Sequence, residues 1–206
     1  GGAAAIHLQT VDFTVGSAEA LALVKDRHSC NNFVVVPSDL LVGGPALRAL
    51  LDRHRPSGAD ATVAFRAPPG GGDAAAGKRR KPGDFEEDAE VAVLGPDGRV
   101  ALLAPLVDLD PEGEGHEGGA GGLRVPKLLL GRLGRLRLRT DLASPGLVVL
   151  RTWCAEWAAQ LGAQRVADLR QDLLPELVAR QWRPAAEEAP LLALARPGGG
   201  PGEWEG

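Results

Sequence analysis

The chain of 206 residues has no methionine, no tyrosine and one isoleucine, Ile6, and aromatic residues make up only 4% of it. Without a methionine, it does not open on an initiator residue. Its two cysteines, Cys30 and Cys154, lie far apart with no C-x-x-C spacing, which argues against a disulfide framework and against a cysteine-rich zinc site. No apolar run approaches the ~20 residues that a bilayer-spanning helix needs, and the first residues lack the charged-then-apolar layout of a signal peptide. An excess of positive charge is absent too: the formal net charge is −4, whereas general nucleic-acid-binding domains are usually basic. These absences predict a soluble, intracellular protein.

What the chain has in quantity is glycine (28) and proline (16), beside 44% hydrophobic and 24% charged residues. The last two figures are ordinary for a globular protein and exclude wholesale disorder. The first two predict structured segments alternating with low-complexity loops. Arginine outnumbers lysine nineteen to four, a skew that with the alanine and leucine content fits a GC-rich genome and carries little about function. Two Gly-rich stretches, 67–83 and 110–122, and the Pro/Gly/Glu tail 184–206 lack the apolar periodicity needed to offset ordering entropy.

Between these stretches the pattern is α/β. Ile6 to Gln9 is a short strand candidate. Ser17 to Asp26 reads as a helix with Ser17 as its N-cap and Leu21 and Val24 on one face. Phe33 to Val36 is an apolar run, as in a strand covered on both faces in the middle of a parallel sheet. Pro45 occupies a first helical turn, and Leu47, Leu50, Leu51 and His54 follow at helical spacing. Ala61 to Phe65 returns as a strand. Val91–Leu94 and Val100–Leu103 flank a Pro-Asp-Gly turn and predict a hairpin. Arg135 to Arg139 alternates Arg and Leu, as in a strand with one wet face. Leu147–Leu150 is a buried strand. Trp153, Trp157 and Leu161 mark one helix face, and Leu173, Leu174, Leu177, Val178 and Gln181 another, with Asp172 as N-cap. The alternation favours a mixed, mostly parallel sheet with helices on both faces.

Several stretches resemble chemical motifs in letters only. Gly72 to Lys78 is one residue short of a Walker A loop, but Arg79 stands where Ser or Thr must hold Mg²⁺, and no strand–helix context surrounds it. Gly113 to Gly118 matches G-x-G-x-x-G, yet Glu114 and Glu117 within it repel a pyrophosphate. Lys78 to Lys81 is a basic cluster followed by the acidic run Asp84 to Asp88, which reads as solvated surface. His7, His28, His54 and His116 have no ligand spacing, and no G-x-S-x-G or Cys/His pairing predicts a nucleophile. No catalytic residue, metal ligand or cofactor is therefore assigned.

One pair of segments stands out. Phe33 to Leu41 places Ser38 and Asp39 just beyond the carboxyl end of a strand, where ligands bind in open α/β sheets. Upstream, Gly16 and Ser17 open a helix whose backbone N–H groups suit a nucleotide phosphate or base. Together Gly16, Ser17, Ser38 and Asp39 would line one nucleotide crevice.

At this point the residues resemble a family. The helix start Gly16-Ser-Ala-Glu-Ala-Leu21, the strand end Ser38-Asp39-Leu40 and the strand Asp60-Ala-Thr-Val63 are similar to the sugar nucleotidyltransferase superfamily. The closer resemblance is to the gamma subunits of eukaryotic translation initiation factor 2B. It is carried by the Lys/Gly-rich insertion before Asp84-Phe85, the basic strand Arg135 to Leu142, and the helix Asp168 to Trp182 with its Leu-x-Pro-x-Leu-Val-x-x-Gln-aromatic pattern. It covers roughly residues 6–182. Two departures stand beside it: the superfamily's N-terminal Gly-rich phosphate loop and its later β-helical repeats are not in this sequence. The resemblance implies a fragment, with residues 1–183 forming an incomplete Rossmann-like nucleotidyltransferase domain, insertions at 67–83 and 110–122, and a disordered tail at 184–206. It further implies a cytosolic, non-catalytic scaffold in the complex that promotes GDP/GTP exchange on initiation factor 2. The epsilon subunit, the other subunits of that complex and initiation factor 2 would be its partners, without direct nucleic-acid or membrane contact. In that role Gly16, Ser17, Ser38 and Asp39 are a vestigial crevice. The rival readings are an active enzyme such as a mannose-1-phosphate guanylyltransferase, with Asp39 holding Mg²⁺, and a regulatory module that senses nucleotide sugars.

The loop composition sets a first test. Limited trypsin digestion should cut first within Lys78 to Lys81, because a Gly-rich stretch with basic residues offers both flexibility and sites. Early cuts elsewhere, with those sites resistant, would show the 67–83 stretch to be ordered.

Overall fold

The computed structural model describes residues 6–25, 30–66, 89–105, 123 and 125–183. All of 67–83, all of 110–122 and the tail 184–206 fall outside these residues. The elements run α1 (Ser17–Lys25), β1 (Asn32–Val35), α2 (Gly44–Ser57), β2 (Ala61–Val63), β3 (Ala89–Leu94), β4 (Val100–Pro105), α3 (Lys127–Leu133), β5 (Arg137–Ala143), β6 (Val148–Arg151) and α4 (Thr152–Leu161). A π-helical turn, Leu169–Leu173, then leads into α5 (Leu174–Arg180).

The protein is mixed α/β, and among the described residues the strands form two three-stranded sheets of order β1-β6-β2 and β4-β3-β5. All their ladders are antiparallel, so the mostly parallel Rossmann-like sheet expected from the sequence is not what these strands form. The physical reason lies in β6. It runs opposite to both β1 and β2 and separates them, so these two strands point the same way without touching. An apolar run reports burial on both faces, and a central antiparallel strand satisfies that as well as a parallel one. Val148, Val149 and Leu150 of β6 are fully buried.

Cross-strand partners share a face, so the register sorts the side chains of the first sheet. Phe33, Leu150 and Ala61 lie on one face with Val35, Val148 and Val63. Most of them join Ala18, Cys154, Trp157 and the buried residues of the π turn in the main core. Asn32, Val149 and Thr62 lie on the opposite face, where α2 packs. Helices thus cover both faces of this sheet, as the sequence predicts.

The run Phe33–Val36 is less buried than expected. As β1 sits at the sheet edge, Val34 and Val36 keep 39% and 42% of their surface exposed. Ile6 to Gln9 forms no strand: Ile6 and Leu8 are almost wholly exposed, and no described strand pairs with them. β2 ends at Val63, two residues earlier than predicted, but the chain stays engaged. Ala64 N–H donates to Leu147 O (3.0 Å), and Arg66 and Ala143 exchange two backbone bonds (2.8 and 3.0 Å), which joins the two sheets.

The β3–β4 hairpin forms where the Pro-Asp-Gly turn places it. Ala92, Leu103 and Leu142 of the second sheet face the main core, whereas Val93 and Ala101 face a smaller cluster closed by Leu129 of α3. The Arg/Leu alternation of β5 does not translate into one dry and one wet face. An extra residue on β5, between the Ala92–Arg139 and Glu90–Leu142 pairs, shifts the register there. Arg139 is half-buried in a bidentate pair with Asp141 (2.6 and 2.8 Å), and Leu138 is 56% exposed. The Gln-aromatic end of the last helix has a mechanical role. Gln181 Nε2 donates to Val100 O (3.0 Å) and Trp182 Nε1 to Ala101 O (2.9 Å), which fastens the helix to β4. Arg180 stacks over the buried Trp157 ring at 4.0 Å.

His54 is the buried polar residue of α2. Its Nε2 lies 3.1 Å from Asn32 Oδ1, an atom that can only accept, so Nε2 carries the proton and Nδ1 accepts from the Thr62 hydroxyl at 2.8 Å. One neutral imidazole thus ties α2 to β1 and β2. Burial, seconded by the Arg151 guanidinium and opposed by Asp60, holds its pKa below the usual 6.5. Below pH 6.5 the unfolded chain takes up this proton more readily than the folded one, so the His54 contribution is full above that pH and is lost as pH falls towards the folded pKa. Melting temperature should therefore drop between about pH 7 and about pH 5, and His54→Gln should flatten that slope. An identical slope in the variant would remove His54 from the cause.

Candidate functional site

Gly16 and Ser17 sit where α1 begins, and another part of the same chain occupies that helix end. Gly16 lies against the backbone of Ala167 so closely that a Cβ added to it would stand 2.1 Å from the Ala167 carbonyl oxygen. Only glycine allows this approach. Two residues on, the N–H of Ala18 donates to the same carbonyl at 2.9 Å. Ser17 does not cap its own helix as predicted. Its hydroxyl donates to Asp168 Oδ2 (2.7 Å) and accepts from Leu169 N–H (2.7 Å).

Asp168 is the hub of this arrangement. Its second oxygen, Oδ1, accepts from the N–H groups of Arg170 (2.7 Å) and Gln171 (2.8 Å) and so caps the π turn. Asp172 does not hold the N-cap position assigned to it from the sequence. Its Oδ2 reaches back to accept from Ala167 N–H (2.9 Å) and Asp168 N–H (2.8 Å). Two carboxylates four residues apart therefore satisfy backbone donors reciprocally, in the manner of a capping box stretched by one residue to fit the wider turn. Burial raises the pKa of Asp168, but the hydrogen bonds from Gln171, Ser17 and Arg170 and the Arg170 charge outweigh it, so the carboxyl titrates below its ordinary value. The Arg170 guanidinium continues the network to Glu90 of β3 at 3.1 Å. A D-x-x-x-D spacing ahead of a Leu-Leu-Pro run was visible in the sequence, but only the fold shows that it meets Gly16 and Ser17.

Ser38 and Asp39 lie on the exposed turn after β1, which is closed by Leu40 N–H on Pro37 O at 3.2 Å. Gly146, at φ +74°, packs directly against the Pro37 ring and backs this turn. No hydrogen bond or ion pair among the described residues links Ser38 or Asp39 to Gly16 or Ser17. The four predicted residues thus fall into two groups, one inside a polar knot and one on an open turn. An open groove of about 600 Å³ runs along α2, lined by Gly44, Leu47, Arg48, Leu51, Asp52 and Arg55. Among the described residues no three His, Cys, Asp or Glu side chains are grouped as metal ligands. Cys154 is buried on α4, and burial pushes its thiol pKa far up, away from reactive thiolate behaviour.

Comparison with known proteins finds no family that matches the chain and no significantly similar curated protein. No helix of the described residues is long and apolar enough to cross a membrane.

The knot makes a quantitative prediction. Gly16→Ala should cost about 2–4 kcal/mol, because backbone rather than a flexible side chain must move. Ser17→Ala and Asp168→Ala should each cost about 1–2 kcal/mol, and the double variant less than their sum, since the two groups share one bond. Urea melts of the three variants and the double variant measure this, and strict additivity would separate Ser17 from Asp168.

Proposed function

We propose that this chain is a non-catalytic scaffold piece of the initiation factor 2B complex, contributing to the assembly that promotes GDP/GTP exchange on initiation factor 2. The observation that carries this reading is the Asp168 carboxylate at the start of α1. A phosphate-binding helix end keeps its first N–H groups and hydroxyl open to an anion. At this one the chain's own Ala167 carbonyl and Asp168 carboxylate take the Ala18 N–H and the Ser17 hydroxyl. Gly16 and Ser17 then serve packing, in keeping with a vestigial crevice.

The finer fold reading, an incomplete nucleotidyltransferase-like domain, draws support from β1-α2-β2. Two strands of the same direction, joined by a helix and split by an antiparallel strand, are what a βαβ unit becomes when a later strand inserts into it. The motif helix fastened by Gln181 and Trp182 fits the same reading. In this role the protein works in the cytosol, with the epsilon subunit as its immediate partner and initiation factor 2 as the complex's substrate.

One feature favours the rival reading of an active nucleotidyltransferase. Asp39 is exposed just past the carboxyl end of β1, with no ion pair among the described residues, as suits a ligand-facing carboxylate. Two measurements separate the readings. Co-expressed epsilon subunit should co-purify with the chain, and incubation with GTP, Mg²⁺ and mannose-1-phosphate should release no pyrophosphate. Turnover that disappears in Asp39→Ala would overturn the scaffold reading in favour of the enzyme.

A further inference from the structure

One edge of the first sheet lacks the devices that usually keep strand edges apart, which are edge lysines, prolines, bulges and inward-pointing charges. β1 stands at that edge. It reads Asn32-Phe-Val-Val35, pairs with β6 without a bulge and runs on to Val36. From Ser29 to Ser38 there is no charged residue, so nothing along this stretch repels an incoming strand.

The register fixes which backbone groups lie on the edge. Thr152 N–H donates to Asn31 O (3.0 Å), whereas Arg151 N–H donates to Asp60 O (2.9 Å), so β6 turns alternate residues towards β1 and β2. Asn31, Phe33 and Val35 therefore direct their backbone groups at β6. Those of Asn32, Val34 and Val36 point outwards, with Val36 held extended by the proline that follows it. No hydrogen bond among the described residues reaches these outward groups. The side chains on the same positions are uncovered as well. α2 packs on β2 and β6 and meets Asn32 through His54, which leaves Val34 and Val36 39% and 42% exposed.

This chemistry selects the occupant. A charged segment finds no counter-charge here, and exposed valines favour β-branched or aromatic cross-strand neighbours. β1 itself offers both an uncharged edge and such neighbours. With a two-fold axis at Val34, an antiparallel second copy sets Val34 opposite its own counterpart, Asn32 opposite Val36, and Phe33 opposite Val35. Every outward backbone group of the three residues then meets its complement. An axis at Phe33 would set Val36 against Cys30, whose carbonyl already accepts from Thr152. An axis at Val35 would set Asn32 against Ser38, which lies in the turn. We propose that β1 is a dimer interface, at which two copies of this chain pair about Val34 into one continuous sheet of order β2-β6-β1-β1-β6-β2. The pairing occupies the β1 edge of both copies, so it closes at two. The inference concerns this edge alone and is independent of the scaffold reading.

Sedimentation velocity on the full chain, from about 1 to about 200 µM, should show a monomer–dimer equilibrium. Because the edge is uncharged, the dimer should persist as salt rises from about 50 to about 500 mM. Amide exchange followed by NMR should slow at Asn32, Val34 and Val36 as the dimer fills, with less change at Phe33 and Val35, which β6 already protects. Val34→Lys and Val34→Glu each set like charges face to face across the axis and should weaken the dimer at least about tenfold. An equimolar mixture of these two variants should restore it, since the facing charges then attract. The exchange measurement uses the unmodified chain and decides the matter even if neither variant folds. A monomer throughout, a dimer dissolved by salt, a dimer whose Val34 amide stays unprotected, or association beyond two copies would each overturn the proposal. So would failure of two folded variants to pair when mixed.

Discussion

The Asp168 carboxylate holds together parts of the chain that are distant in sequence. Through Ser17 it fixes the start of α1, and through the N–H groups of Arg170 and Gln171 it starts the π turn and α5. Arg170, placed by that turn, reaches β3. A buried or half-buried carboxylate is stable in such a place only with its lone pairs filled, and here backbone donors and a hydroxyl fill them. The rest of the architecture follows from this constraint. α1 leans on α4, α5 lies over β4, and the core between them is closed by Ala18, Leu169, Leu173 and Leu174.

The same constraint bears on function. A helix N-terminus is a natural anion site, and this one already holds its anion as a side chain of its own chain. A helix end whose chemistry suits an anion is thereby turned into an internal fastening. Asp39 and the α2 groove remain on the outside, joined to the knot by no described hydrogen bond. Gly16 serves both arrangements, since a phosphate and a packed carbonyl each need the space that a Cβ would fill.

His54 and Asp168 illustrate two ways of keeping polar groups inside. His54 stays neutral and divides its two nitrogens between a hydroxyl and an amide oxygen. Asp168 stays charged and gathers donors. The first ties one helix to two strands across β6, the second ties two helical segments to each other. Each set includes a partner distant in sequence, since Ser17 and Asp168 stand 151 residues apart and His54 and Asn32 stand 22 apart. Contacts of such separation form late and lock a topology that local pattern leaves open.

Local chemistry was legible in the residues themselves. Pro45 and the Leu47–His54 spacing gave α2, Pro96-Asp97-Gly98 gave the hairpin, and Val148 to Leu150 read as a buried strand, because each signal lies within one turn or one strand of its effect. Strand direction was not legible, since an apolar run reports burial and says nothing of which neighbour supplies it. Nor was the exchange of roles between Asp172 and Asp168, or the pairing of Ser17 with a residue 151 positions away. A cap is a property of which N–H groups fall within reach. For Ser17 those groups arrive only when α1 and the π turn have packed, so tertiary structure alone decides what that hydroxyl does.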